Sequence, residues 1–295
     1  MLISKYLNRL LAAGIFVFYS SNSIAAFFND DMQLSPYLAS EQYSWKESTA
    51  QKSNFMDESG TRYVFGFEYS NFNTKTRGRL IGLDAKLYSG AVGYSGHAFS
   101  LTGSSPGLKQ FSSSTRYTGN IIEFDIGHRS PFRTNLGNGA VDFVASFGSD
   151  FWERDIGGGS LDDGTAVSGY AEYYHSLYAK AGMGLLLNTG THKHLVNIGI
   201  KRPFSVSETI DLSNLGTEIN LSPKPGTTTY ASWRVYPLVP SADRFSISMY
   251  FEETKFYASD TQTFSFSSGG TTHTSSVYQP DSSSTVAGFQ IMWKL

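Results

Sequence analysis

Three groupings of side chains in this sequence have the types and spacing that chemistry needs. In His128-Arg129-Ser130 an imidazole stands two residues from a hydroxyl. On an extended strand both side chains share a face, and Asn135 or Asn138 follows closely enough to orient the ring. Asp150, Asp155, Asp162, Asp163 and His175 form a second group, in which paired carboxylates would activate water. His192-Lys193-His194 repeats the two-residue spacing, but neither Cys nor carboxylate lies near in sequence to complete a metal site. Each grouping has a plainer reading: His128 flanks a turn at Pro131, the acids surround a glycine-rich loop from Gly157 to Gly164, and the two histidines border a solvated turn. The expectation is therefore no catalytic residue, no metal and no cofactor.

What must position these residues is set by the rest of the chain. Lys5 and Arg9, an apolar stretch from Leu10 to Tyr19, and small residues at Ala25 and Ala26 make residues 1–26 an export signal, leaving 27–295 as one mature domain. The mature part carries 21 bases against 25 acids, a net charge of −4 with no basic footprint for nucleic acid. The absence of cysteine excludes disulfides, thiolate metal sites and a catalytic thiol. After the signal no apolar run is long enough for a spanning helix, so a membrane crossing has to use strands. Aromatics at 15% and 29 glycines suit strands and turns.

Ten stretches alternate with period two. The first, about Met32 to Lys46, sets Tyr37, Ala39, Tyr43 and Trp45 beside Glu41, which leaves its faces unassigned. The second opposes Tyr63, Phe65, Phe67 and Tyr69 to Arg62, Val64, Gly66, Glu68 and Ser70. The third opposes Ile81, Leu83, Ala85 and Leu87 to Asp84, Lys86 and Tyr88, and the fourth Ile122, Phe124 and Ile126 to Glu123, Asp125 and Gly127. In the fifth, Val141, Phe143, Ala145 and Phe147 oppose Asp142, Ser146, Gly148 and Asp150. The sixth sets Leu177, Ala179, Ala181, Met183, Leu185 and Leu187 against Glu172, Ser176, Lys180, Gly182 and Gly184. Val196, Ile198 and Ile200 oppose Asn197, Gly199 and Lys201 in the seventh, and Ala231, Trp233 and Val235 oppose Tyr230, Ser232, Arg234 and Tyr236 in the eighth. The ninth alternates Phe245, Ile247, Met249 and Phe251 with Ser246, Ser248, Tyr250 and Glu252. The tenth closes the chain, with Phe289, Ile291, Trp293 and Leu295 opposite Gly288, Gln290, Met292 and Lys294.

Connections are short at 74–78, 188–192 and 239–243, somewhat longer at 129–139, and long and polar at 47–60, 95–115, 155–168, 205–228 and 259–284. A soluble sandwich has no reason to gather its long connections at one end; an up-and-down transmembrane barrel does. The prediction is an all-β closed antiparallel barrel of about ten strands, with short periplasmic turns and long extracellular loops. Lys or Arg on a lipid face near midplane costs about 2–4 kcal/mol, so the charged faces belong inside. There Glu68, Asp84, Glu123, Asp125, Asp142, Asp150, Glu172 and Glu252 nearly balance Arg62, Lys86, Arg154, Lys180, Lys201, Arg234 and Lys294. Long side chains of both signs can cross a narrow lumen and pair, so it reads as largely filled. Inward Gly66, Gly127, Gly148, Gly182, Gly184 and Gly199 either leave space or let strands bend. Trp45, Tyr63, Trp152, Tyr173, Trp233, Tyr257 and Trp293 are the expected interfacial girdles.

The closing segment from Gly288 to Leu295 resembles the C-terminal strand of bacterial outer-membrane β-barrels, which ends in alternating large apolar residues; Leu295 stands where that class usually has Phe or Trp. The resemblance implies the outer membrane of a Gram-negative bacterium. It also implies lipid and lipopolysaccharide as surroundings, and engagement of the barrel-assembly machinery through the last strand. His128 and Ser130 are similar to the His-x-Ser pair of outer-membrane phospholipases, which work at the outer leaflet. The acids near Asp150 resemble the mouth of omptin-type surface proteases, without a motif matched residue by residue. The expected role is structural or surface interaction, with a small porin-like diffusion channel as the alternative and an outer-membrane hydrolase third. The partner of the surface loops is left open.

Overall fold

A computed structural model of the protein describes residues 32–50, 52–100, 107–134, 137–161, 163–237, 244–268 and 271–295. The signal at 1–26, Asn135 and Asp162 lie outside these residues. In chain order the strands are β1 (Gln33–Thr49), β2 (Lys52–Ser70), β3 (Gly78–Ser100), β4 (Gly107–Thr134), β5 (Gly137–Ile156), β6 (Gly159–Ser160), β7 (Ala166–Val167) and β8 (Tyr170–Asn188). They continue with β9 (His192–Leu212), β10 (Thr217–Leu221), β11 (Lys224–Pro225), β12 (Thr228–Pro237), β13 (Phe245–Tyr257), β14 (Gln262–Ser268), β15 (Thr271–Val277) and β16 (Asp281–Trp293). Ten of these form the wall: β9, β12, β13, β16, β1, β2, β3, β4, β5 and β8 pair in that order, and β8 pairs back to β9. The sheet has closed on itself, so none of these ten is left as an edge.

The alternation expected of each strand is present. Phe65, Leu87, Phe124, Phe147, Ile198, Ile247 and Phe289 all lie exposed on the outside, with Leu87 and Phe147 at 61%. A continuous apolar girdle of this kind has no place in water; it is the lipid-facing wall of a transmembrane barrel. The first strand resolves in the same way. Tyr37, Ala39, Glu41, Tyr43, Trp45 and Glu47 are buried inside, and Leu38 is exposed outside.

The long connections are where the expectation needs correcting. Residues 47–60 are not a loop: β1 and β2 run on to a tight hairpin near Ala50. β3 and β4 stay paired from Gly78 against Arg129 to Ser100 against Gly107. β9 reaches Leu212, where a 3-10 turn at Ser213–Leu215 sends β10 back along it. Most of 259–284 is the hairpin of β14 with β15. β4 has 28 residues and β3 has 23, far beyond the roughly 9 to 11 needed to cross. The wall therefore continues well past the apolar girdle, and there its outer face turns polar. Lys46 pairs with Asp57 at 3.5 Å and Arg116 with Asp155 at 2.5 Å. Polar composition marks where the strands leave hydrocarbon, not where they end.

Inside, the rings of five tyrosines cover the glycines directly across the ladder: Tyr37 on Gly66, Tyr88 on Gly119, Tyr178 on Gly148, Tyr230 on Gly199 and Tyr250 on Gly288. A Cβ at Gly66 would meet the Tyr37 ring at 2.3 Å. Gly66, Gly148 and Gly199 thus neither leave a void nor act as hinges. They are the seats on which inward tyrosines lie flat, filling the lumen that a standing ring would block unevenly.

Candidate functional site in the lumen

Ionised side chains cross the barrel in successive pairs. At the end where Leu295 lies, Arg129 grips Asp142 with both arms at 2.7 and 2.6 Å, and neither side chain has measurable contact with solvent beyond 1%. The remaining Arg129 nitrogen donates to the carbonyls of Phe72 and Lys75, at 2.8 and 2.6 Å. Lys193 donates to the Asn73 carbonyl at 2.8 Å, so the turn between β2 and β3 is drawn beneath the lumen. Farther in, Arg234 pairs with Glu68 at 2.8 Å, Lys180 with Glu123 at 2.7 Å, Lys201 with Glu252, and Arg62 with Glu41 at 2.7 Å. Arg62 also lies over the Tyr43 and Tyr88 rings, 3.9 and 4.4 Å from their centroids. Cavities of about 260 and 90 Å³ occupy the middle, with Lys86, Tyr178, Lys201 and Glu252 lining both.

At the far end, beyond the apolar girdle, one fully buried guanidinium gathers several acids. Arg154 meets Glu172 at 2.5 Å, Glu58 at 3.3 Å and Glu47 at 3.4 Å, and its guanidinium lies 5.0 Å from the Trp45 ring centroid. Tyr117 and Thr115 donate to Glu58, Tyr174 to Glu172 at 3.0 Å, and Trp45 and Gln279 to Glu47 at 2.9 and 3.0 Å. Glu208, also buried, completes the layer from β9. Around it pack Trp45, Met56, Tyr94, Trp152, Ile156 and Phe256, so this end has an aromatic core as dense as a soluble domain's. Burial, the charges of Glu47 and Glu58, and only partial relief from Arg154 push the Glu172 carboxyl up to about 7. Burial and the acids Glu172 and Glu47 hold that of Glu208 well above the ordinary carboxylate range.

Every inward charge expected from the alternation on the described strands faces the lumen or its ends, but five important members were not in that set. Glu41 belonged to a strand whose faces the sequence left open, Arg129 to a presumed turn, and Glu47, Glu58 and Glu208 to presumed loops. Continuing the period-two count through the polar stretches would have found Arg129, Glu47 and Glu58, but not Glu208, because a β-bulge at Phe204, opposite Leu177 and Tyr178, reverses the faces of β9. Trp45 and Trp152 are corrected too. They are buried at 1% and 6% within the far-end core and do not face a bilayer interface, whereas Tyr63 and Trp233 do lie on the outer face.

Among the described residues the chemical groupings do not assemble. His128 and Ser130 share the exposed outer face while Arg129 between them turns inward, and Asn138 is exposed. Asp150 is inward and accepts from Tyr88 at 3.1 Å, Asp155 is outward against Arg116, and Asp163 is bound by Lys109 at 2.5 Å, which holds its carboxyl well below the usual range. His175 faces outward and meets Ser149 at 2.9 Å. That contact joins residues 26 apart through strand register, which no local motif reveals; among the described residues no acid or amide holds the other ring nitrogen. His192 and His194 do share a face, with ring centroids 6.1 Å apart, and His194 stacks on Trp233. Among the described residues no three His, Cys, Asp or Glu side chains come together as a metal site.

No family model and no curated protein matches the chain. Among solved structures, the Escherichia coli outer membrane protease OmpT is similar over 90% of this chain and 96% of its own, at 9% identity and TM-score 0.49. The β domain of the Bordetella autotransporter BrkA covers 88% of this chain and 98% of its own at 10% identity and TM-score 0.37. The Pseudomonas putida toluene transporter TodX covers 92% and 91% at 9% identity and TM-score 0.30. The activities in these names belong to those proteins.

Proposed function

We propose that this chain is a bacterial outer-membrane barrel whose lumen is held shut and whose far-end wall and hairpins form an extracellular surface for contact with other molecules. The observation that carries the reading is the Arg154 layer: a buried, aromatic-walled set of ion pairs across the mouth, on strands that have already left the girdle. The Arg129 clasp on the turn beneath the opposite end supports it. The outer membrane as the setting is supported by the apolar girdle, by the export signal read from residues 1–26 and by the alternating final strand, through which the assembly machinery would engage. Lipid and lipopolysaccharide would then surround the wall. The β14–β15 hairpin carries Ser, Thr and Phe without a charged residue between Gln262 and Ser268 and offers the contact surface.

The test is single-channel recording of the mature protein in planar bilayers at neutral pH. Silence is expected; steady openings would overturn the shut lumen and make the diffusion-channel reading the better one. Substituting His128 or Asp150 is expected to leave any lipase or protease background unchanged, because neither belongs to an assembled set of reacting groups.

A further inference from the structure

The far-end layer holds more acid than its one cation neutralises. Glu47, Glu58 and Glu172 contact Arg154, while Glu208 is 1% exposed and neither of its side-chain oxygens has a hydrogen-bond partner among the described residues. Arg154 Nε and Trp152 Nε1 are likewise buried without acceptors, so Glu208 has not been captured by the donors of its own layer. The phenol turned to Glu208 is Tyr174 on β8, while Tyr94 on β3, Tyr117 on β4 and Tyr170 on β8 border the rest of the layer, all neutral as phenols, and β13 contributes Phe256. Burial beside the acids Glu172 and Glu47 disfavours an ionised carboxylate there, the neighbouring Tyr174 hydroxyl relieves it only in part, and Glu208 keeps a proton instead.

We propose that this layer is a proton-operated latch on the barrel's mouth: Glu208, with Glu172 beside it, binds a proton while the end is shut, and losing the proton opens it. This rests on the shut-lumen reading above. The raised carboxyls of Glu172 and Glu208 agree with it. With both ionised, four carboxylates would face a single guanidinium, and water must enter to solvate them. The part able to yield is the segment joining β15 to β16. Gln279 donates to Glu47 at 3.0 Å and accepts from Tyr174 at 3.4 Å, while its backbone N–H donates to the Ser259 hydroxyl at 2.9 Å and its carbonyl accepts from the Ser259 N–H at 3.0 Å. Hydrating Glu47 and Tyr174 would release this side chain and the segment that carries it, while the β14–β15 hairpin stays packed on Ile210, Ile219 and Leu221 through Phe264 and Val277.

The experiment is bilayer recording, in an Arg129→Ala background that frees the turn beneath the opposite end, of the protein with and without Glu208→Gln at pH 5, 7 and 9, with return to pH 5 and circular dichroism at each pH. Expected are silence at pH 5, reversible openings at pH 9 with the strand spectrum intact, and at least a tenfold lower open probability at pH 9 in Glu208→Gln. Glu172→Gln serves as the second variant if Glu208→Gln does not fold. Silence at every pH in the Arg129→Ala background would overturn the latch and leave the shut lumen standing. Equal conductance at every pH would overturn the shut lumen itself. Openings unaffected by either substitution, or accompanied by loss of the strand spectrum, would also overturn the latch.

Discussion

Removing the cation from the far-end layer is the sharpest perturbation of the closed mouth. Arg154→Met keeps a long apolar stem and the packing against Trp45, but it deprives Glu47, Glu58 and Glu172 of their shared partner. Each pair is worth about 4 kcal/mol at roughly 4 Å and an effective dielectric constant near 20, before the cost of desolvating the ions is set against it. Because that cost offsets much of the attraction, the measured loss should be near the about 3–5 kcal/mol seen when one partner of a buried pair is removed. The strand pairing of β5 with β4 and β8 is untouched, so the barrel should still form. Reversible urea unfolding in detergent micelles or vesicles at pH 8 reads the stability. Adding Glu172→Gln to Arg154→Met should return part of the loss, since one uncompensated acid is then gone. A change below about 0.5 kcal/mol would refute the argument, because it would mean that the layer is hydrated and its ions are already solvated by water.

Stability should depend on pH through the same layer. The Glu172 carboxyl sits above its unfolded value, so the folded protein holds a proton that the unfolded chain releases, and stability falls as pH rises from about 4.5 through about 7. The shift corresponds to about 3 kcal/mol at most, and the slope in urea midpoint over that interval should flatten in Glu172→Gln. On the lipid face, Ile198→Arg should cost about 2–4 kcal/mol in vesicle folding equilibria, whereas Ser59→Arg, on the polar outer face above the girdle, should change stability by less than about 0.5 kcal/mol. Gly66→Ala should cost about 1–3 kcal/mol, because its Cβ displaces the Tyr37 ring and with it the hydroxyl's bond to Asp84 at 2.9 Å; Tyr37→Leu in the same background should remove the clash and reduce the penalty. Arg129→Ala should free the turn at 71–77, seen as faster trypsin cleavage at Lys75 and Arg77 from the side that carries the termini.

The barrel and the inside-out ordering of its wall were contained in the sequence. A strand's two faces are written in alternate positions, and lipid outside with pairing inside forces apolar and ionised residues onto opposite ones. Phe289 and Gln290, or Phe143 and Asp142, could be assigned without a partner strand in view. Where both faces are polar, that signal vanishes. Residues 47–60, 95–115 and the first part of 205–228 looked like loops because composition reports solvent contact, not backbone pairing, and Glu47, Glu58 and Glu208 were hidden with them. Closure of the cylinder decided which residues meet across it, as Arg154 does with acids from β1 and β2, and strand register decided neighbours such as Arg154 with Glu172, Tyr37 on Gly66 and Ser149 with His175. Those contacts depend on strand register and on the barrel's diameter, quantities that arise from all ten wall strands together and are encoded in no single segment.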